Sequence, residues 1–127
     1  MAVGAPNAQQ IAIVSLSALP PSVNSMFANR PGGRFKTKAY KDWLTLAGHE
    51  LNRQKPGRVA GPYAVTFTFG RVNKRADLDN IIKASADLLV SHGVVDDDRF
   101  AQRIVAEWGP VEGVHIQICS TKLRGEA

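Results

Sequence analysis

Asp77-Leu78-Asp79 sets two carboxylates two residues apart in a chain that is otherwise basic. In extended backbone such residues point to one face, with Leu78 turned inward. Two carboxylates about 4 Å apart repel by roughly 4 kcal/mol at an effective dielectric of 20. A cation between them reverses that penalty. Mg²⁺ takes oxygen ligands and is usually held by one or two carboxylates together with waters and phosphates; Mn²⁺ is the natural substitute. Asp79, Lys83 and Asp87 follow at four-residue spacing and stack along one helix face. Lys83 there pairs with Asp79 or Asp87, or reaches a phosphate or a leaving-group oxygen. Asp96-Asp97-Asp98 comes after Gly93-Val94-Val95, at the return from helix to strand. One of these three reaches Asp77 and Asp79 only if the next strand runs alongside.

Plainer readings compete with each of these. Asp79 alone is a helix N-cap. Lys83 and Asp87 alone are an exposed pair worth about 0.3–0.5 kcal/mol. Asp87 is as readily structural as functional, and Asp96 reads as a solvated turn residue. His49, His92 and His115 are scattered and receive no chemistry; His92 sits favourably at a helix C-terminus. Trp43 and Trp108 read as packing residues, and Cys119 as a small, buried or partly buried strand residue.

Charge distribution sharpens the chemistry. The chain carries 16 Lys+Arg and 11 Asp+Glu, a formal net charge of +5. Residues 77–98 hold six of the eleven acids and a single base, Lys83, so this window is −5 and the remainder +10. A basic surface around one acidic patch suits a polyanion-binding protein that also holds a cation. Arg30, Arg34, Lys36, Lys38 and Lys41 form a run of bases without an acid, and Arg71, Lys74 and Arg75 form a second. Both are candidate phosphate-binding segments, though the first is also compatible with ordinary surface charge.

Size and composition bound the rest. The 127 residues suit one domain, 1–127, with a loose leader over residues 1–10. A single cysteine excludes an internal disulfide and a cysteine-rich zinc site, and points to a reducing compartment. No apolar run approaches the roughly 20 residues that span a bilayer, and Met1 to Gln10 lacks the charged and apolar regions of a secretory signal. The expectation is cytoplasmic, with no membrane partner and no organic cofactor.

The elements that must position these groups read as follows. Ile11 to Leu19 is a strand apolar on both faces and so mostly buried, ended by Pro20-Pro21. Ser22 to Lys36 is a loop. Thr37 caps a helix carrying Tyr40, Trp43, Leu44, Ala47 and Leu51, closed by Pro56-Gly57. Tyr63, Val65, Phe67 and Phe69 alternate as a half-buried strand. A helix from about Asn80 to His92, capped by Asp79 and stopped by Gly93, buries Ile81, Ile82, Ala86, Leu88 and Leu89. Arg103 to Trp108 and Val114 to Cys119 form a hairpin joined by Gly109-Pro110-Val111-Glu112-Gly113. The order β-α-β-α-β-β predicts an α+β fold with two main helices on a small mixed sheet.

The run Asp77-Leu78-Asp79-Asn80-Ile81-Ile82-Lys83-Ala84-Ser85-Ala86-Asp87, then Gly93-Val94-Val95-Asp96-Asp97-Asp98, resembles the RusA family of Holliday junction resolvases. The family pattern is D-x-D-N, a Lys three residues on, an Asp four further, then a Gly and a D-D pair. Leu19-Pro20-Pro21-Ser22-Val23-Asn24 is similar to the family's N-terminal P-P-S-x-N loop. The resemblance runs over roughly residues 16–118. It implies a homodimeric, Mg²⁺-dependent endodeoxyribonuclease that cuts two strands symmetrically at a four-way junction. The family's metal-binding D-x-D falls on Asp77 and Asp79, its catalytic lysine on Lys83, and the second Asp of its D-D pair on Asp98. Here three acids stand in place of two, so Asp97 competes with Asp98, and Phe100 departs from the usual continuation.

The expected activity is therefore metal-dependent resolution of junction DNA in recombination and repair, in a bacterial, prophage or phage context. Asp77, Asp79, Lys83 and Asp98 are catalytic, and Asn24, Arg34, Lys36, Lys38, Arg71, Lys74 and Arg75 contact DNA. The alternatives are a branched-DNA-binding protein without nuclease activity, and a nuclease for forks or flaps. A two-fold substrate is most simply cut by a two-fold dimer.

Overall fold

A computed structural model describes residues 9–71 and 77–121. The chain folds as α+β, with four strands in a mixed sheet and two helices. Strand β4 (Tyr63–Gly70) sits inside the sheet, with an inward side that is apolar and buried along its whole length. Tyr63, Val65, Phe67 and Phe69 all point into the core, and Phe67 and Phe69 are fully buried. Each such side chain contributes about 1.5–3 kcal/mol by leaving water. The sheet order is β1-β6-β4-β5, with β1 at Ile11–Leu16, β5 at Ala101–Gly109 and β6 at Val114–Ser120. Strand β6 is antiparallel to both β1 and β4, and β5 is parallel to β4.

Two strand expectations are corrected here. Strands β5 and β6 do not form a hairpin: β4 lies between them, and its backbone N–H and C=O groups pair on both edges, with β5 in parallel and with β6 antiparallel. Strand β1 is not mostly buried. It is an edge strand that buries Ala12, Val14 and Leu16 and leaves Ile11 and Ile13 about half exposed.

The segment expected to be a loop contains a two-stranded hairpin, β2 (Phe27–Arg30) with β3 (Gly33–Lys36). Pro31 and Gly32 make its turn, and Gly32 and the first residue of β3, Gly33, both take positive φ, which other residues adopt at a cost. Helix α1 (Lys38–Gln54) begins as predicted, with Thr37 accepting the Tyr40 N–H. It buries Tyr40, Trp43, Ala47 and Leu51, and the Trp43 indole donates to the Ala18 carbonyl at 3.1 Å.

Helix α2 is shorter than expected, Ile82–Ser91. A 3₁₀ turn over Leu78–Ile81 precedes it, so Asp79 lies inside that turn and does not cap α2. Asp77 is extended and flanks the turn. The two carboxylates are thus not set by a strand's two-residue repeat. After Gly93 (φ +70) the chain doubles back, and Val94 and Val95 bury beside the Val59 loop. No helix among the described residues is long and apolar enough to cross a membrane.

Candidate active site

The two halves of the acidic motif meet across the link between α2 and β5. Lys83, in the first turn of α2, places its Nζ 3.1 Å from Asp87 Oδ1 and 3.8 Å from Asp98 Oδ2. Asp87 is one helical turn along the same face, as the four-residue spacing requires. Asp98 arrives from a different segment. Its approach is prepared by Asp96, which takes the Arg58 guanidinium and accepts the Gly61 N–H at 3.1 Å. Val59 N–H donates to the Val94 carbonyl at 2.8 Å, tying the same two loops together. Asp96 is exposed, as a solvated turn residue would be, and is also a tether between loops.

Asp97 and Asp98 have different jobs in this turn. Asp97 accepts the Arg99 N–H at 3.0 Å and caps a short 3₁₀ turn over Asp98–Phe100. That hydrogen bond leads the causes that hold its carboxyl below the ordinary 3.8. Its neighbour Asp98 is the one that faces Lys83. Asp77 is steadied by Asn80, whose backbone N–H donates to the Asp77 carbonyl at 3.1 Å and whose amide lies 3.4 Å from the Asp77 carboxylate. Asp77, Asp79 and Asp98 are all exposed.

The hydrogen bond to Asp87 is the main cause that raises the Lys83 pKa above 10.5; the charges of Asp87, Asp98 and Tyr40 add to it. Lys83 is thus a fixed cation at neutral pH and no general base. Tyr40 from α1 and Tyr63 from β4 back this group. Burial pushes both phenols above 10, Tyr40 further by Asp87 and Tyr63 further by Asp98 and Asp97. Sequence reading took Tyr40 as core alone, and gave Tyr63 only a place in a strand.

Oxygen donors of this kind suit a hard divalent cation. Among the described residues, no three of Asp, Glu, His or Cys converge into a group that could hold a metal ion. The donor set fits a cation held by one or two carboxylates and completed by phosphate and water, the usual arrangement for Mg²⁺. It does not form an all-protein cage.

Basic side chains flank the acids. Arg34 on β3 lies over the Phe27 ring at 4.3 Å, and with Lys83 and Asp87 it borders one pocket. Lys36, Lys38 and Lys41 line a neighbouring groove with Arg30 and Asp42, where Lys38 pairs with Asp42 at 2.6 Å. Asn24 is exposed in a 3₁₀ turn before β2. Arg71 lies 5.0 Å from the Trp108 ring, by a separate cleft formed with Pro110 and Gly113. Lys74 and Arg75 lie outside the described residues. Phe27 escaped the sequence reading, and its signal was an aromatic residue beside a run of bases.

No curated protein matches the chain. A family model does: residues 18–119 match "Endodeoxyribonuclease RusA". The match spans the P-P-S-x-N loop, the whole acidic motif and every strand but β1 in nearly full length, and the chain belongs to the RusA endodeoxyribonuclease family.

Proposed function

We propose that the protein is a divalent-metal-dependent endonuclease that resolves four-way DNA junctions, as a homodimer cutting two strands symmetrically, in recombination and repair. The family implies Holliday junction resolvase activity; the metal, the symmetry and the residues are the proposal. One observation carries it: a lysine fixed as a cation between two carboxylates, beside a basic hairpin. Mg²⁺ is the proposed metal, with Mn²⁺ as substitute, held by Asp77 and Asp79; Asp98, the third ligand that the family pattern implies, does not converge with them in the described residues and would join only once metal and DNA draw the turns together. When bound, such a cation supplies Lewis-acid stabilisation of the phosphate oxygens.

The protein's own groups do the rest. Hydrolysis forms a bond from a water oxygen to phosphorus, with that water releasing a proton to solvent, and breaks the bond to a sugar oxygen, which takes up a proton from solvent. Negative charge grows on the phosphate as this happens. Lys83, held by Asp87 and strongly protonated, donates hydrogen bonds to that charge. Its raised pKa suits charge stabilisation and makes it a poor proton donor. Arg34, Lys36 and Lys38 hold phosphates on the hairpin side and Arg71 holds them by the Trp108 cleft, with Asn24, Lys74 and Arg75 as further DNA contacts, the last two outside the described residues. Such contacts set register on the DNA and carry no sequence information.

The test is cleavage of a synthetic mobile four-way junction, with Mg²⁺ and with EDTA, beside linear duplex, fork and flap. Metal-dependent paired nicks on the junction are expected. Tight junction binding without cutting in any divalent metal identifies a binding protein instead, and faster cutting of forks or flaps identifies a different nuclease. Sedimentation with and without DNA is expected to give a dimer; monomer alone at micromolar concentration defeats the symmetric mechanism.

A further inference from the structure

The site is continued by a pocket whose apolar wall the cleavage chemistry does not use. It has a volume of about 470 Å³ and is lined by Val23, Met26, Phe27, Arg34, Lys83 and Asp87. Its walls differ in kind. Val23, Met26 and Phe27 are apolar, and Phe27 is fixed edge-on against Tyr40 with ring centroids 5.7 Å apart. The Arg34 guanidinium lies over the Phe27 ring. Lys83 and Asp87 form the remaining side, and they are the ion pair of the candidate active site.

A phosphate has no use for a methionine, a valine and a phenylalanine. A flat, partly apolar ring with polar edges uses all six groups: apolar contact with Val23 and Met26, stacking on the Phe27–Arg34 pair, and hydrogen bonds at Lys83 and Asp87. Nucleobases that have left the helical stack are held in this way, between aromatic or guanidinium planes and polar groups at their edges. At a four-way junction the strands exchange partners, and bases at the branch point lose stacking neighbours, which lowers the cost of moving one aside. We propose that this pocket receives an unstacked nucleobase of the cut strand, next to the phosphate that faces Lys83. The base so held fixes the scissile phosphate against the lysine. This rests on the nuclease reading above, and its substrate is the same DNA.

Two readouts separate the proposal from that reading. In the first, 2-aminopurine replaces each base within two nucleotides of the crossover, and fluorescence is followed as the protein binds the junction in Ca²⁺. One position is expected to change strongly on binding in a way that Phe27→Leu and Arg34→Ala both abolish, with circular dichroism verifying that each variant is folded. In the second, an abasic site at that position slows single-turnover cleavage about tenfold, and Phe27→Leu slows the intact junction by a similar factor without slowing the abasic one further. If no position responds, or the response survives in both variants, the pocket holds no base. If wild-type protein leaves the intact junction uncut in every divalent metal, the nuclease reading falls, and the fluorescence arm still decides the pocket.

Discussion

The Nζ of Lys83 stands 3.8 Å from Oδ2 of Asp98, joining the first turn of α2 to the turn that opens β5. The lysine's nearer partner is Asp87, at 3.1 Å. Removing the cation and removing its holder are therefore different experiments. Lys83→Ala is expected to lower the single-turnover cleavage rate by about 10²–10³ while leaving junction affinity within a few fold. Asp87→Asn keeps the lysine but loosens it, and is expected to cost about tenfold in rate. Equal losses in affinity and rate for Lys83→Ala would assign the lysine to DNA binding alone.

The divided labour of the acidic run predicts different phenotypes for neighbours. Asp98→Asn is expected to abolish most cleavage with an unchanged melting temperature. Asp97→Asn retains an oxygen that accepts the Arg99 N–H and is expected to cleave at close to the normal rate. Asp97→Ala removes the cap and is expected to lower the melting temperature. A cleavage-dead Asp97→Asn beside an active Asp98→Asn would exchange their roles.

Alkaline titration reads the floor of the site directly. The protein has two tyrosines, and both are buried. Their pKa values are raised above 10 in the folded state. Above pH 10 the unfolded chain gives up these protons while the folded protein keeps them, so stability falls as pH climbs. Tyrosinate absorbance is expected to stay flat through pH 10 and then to rise together with unfolding. Tyr40→Phe is expected to shallow the alkaline loss of stability. Free ionisation at pH 10 in a folded protein would place the phenols in water.

Gly113 meets the backbone of β1's exit. A Cβ there would come within 2.0 Å of the Leu16 carbonyl oxygen, and its φ of +69 already disfavours a side chain. Gly113→Ala is expected to destabilise the fold by about 3 kcal/mol, measured by urea unfolding. Gly57 also has positive φ, but a Cβ there meets nothing within 4 Å. Gly57→Ala is expected to cost less, and the difference between the two isolates the clash.

What could be read from the sequence follows the reach of each signal. Helix α1 was legible because Thr37 and the spacing of Tyr40, Trp43, Ala47 and Leu51 act within a few residues. Strand β4 was legible because its alternation is uninterrupted. The β2–β3 hairpin was not, since its residues are half-buried at most and leave no apolar alternation. The Gly109–Gly113 turn looks like a hairpin loop locally, and only the demand of β4 for two neighbours overrides it. The motif spacing brought Lys83 together with Asp87, while the meeting with Asp98 depends on Asp96 and Arg58, whose pairing spans two loops and has no local signature. The role of Asp77 and Asp79 was inferred from an extended geometry that the 3₁₀ turn replaces.

Strand β6 is central yet comes after every other strand, and it pairs with a strand as distant as Ile11 opposite Cys119. Until β6 is made, β1 has no partner in the sheet and β4 lacks one of its two neighbours. Such non-local pairing slows folding and leaves strand edges open meanwhile. During synthesis, then, the acidic motif and the basic hairpin leave the ribosome ahead of the strand that completes their scaffold. A nascent chain carries the chemistry of a nuclease before it has the rigidity of one, so the order of strands delays the emergence of a working enzyme until translation has passed β6.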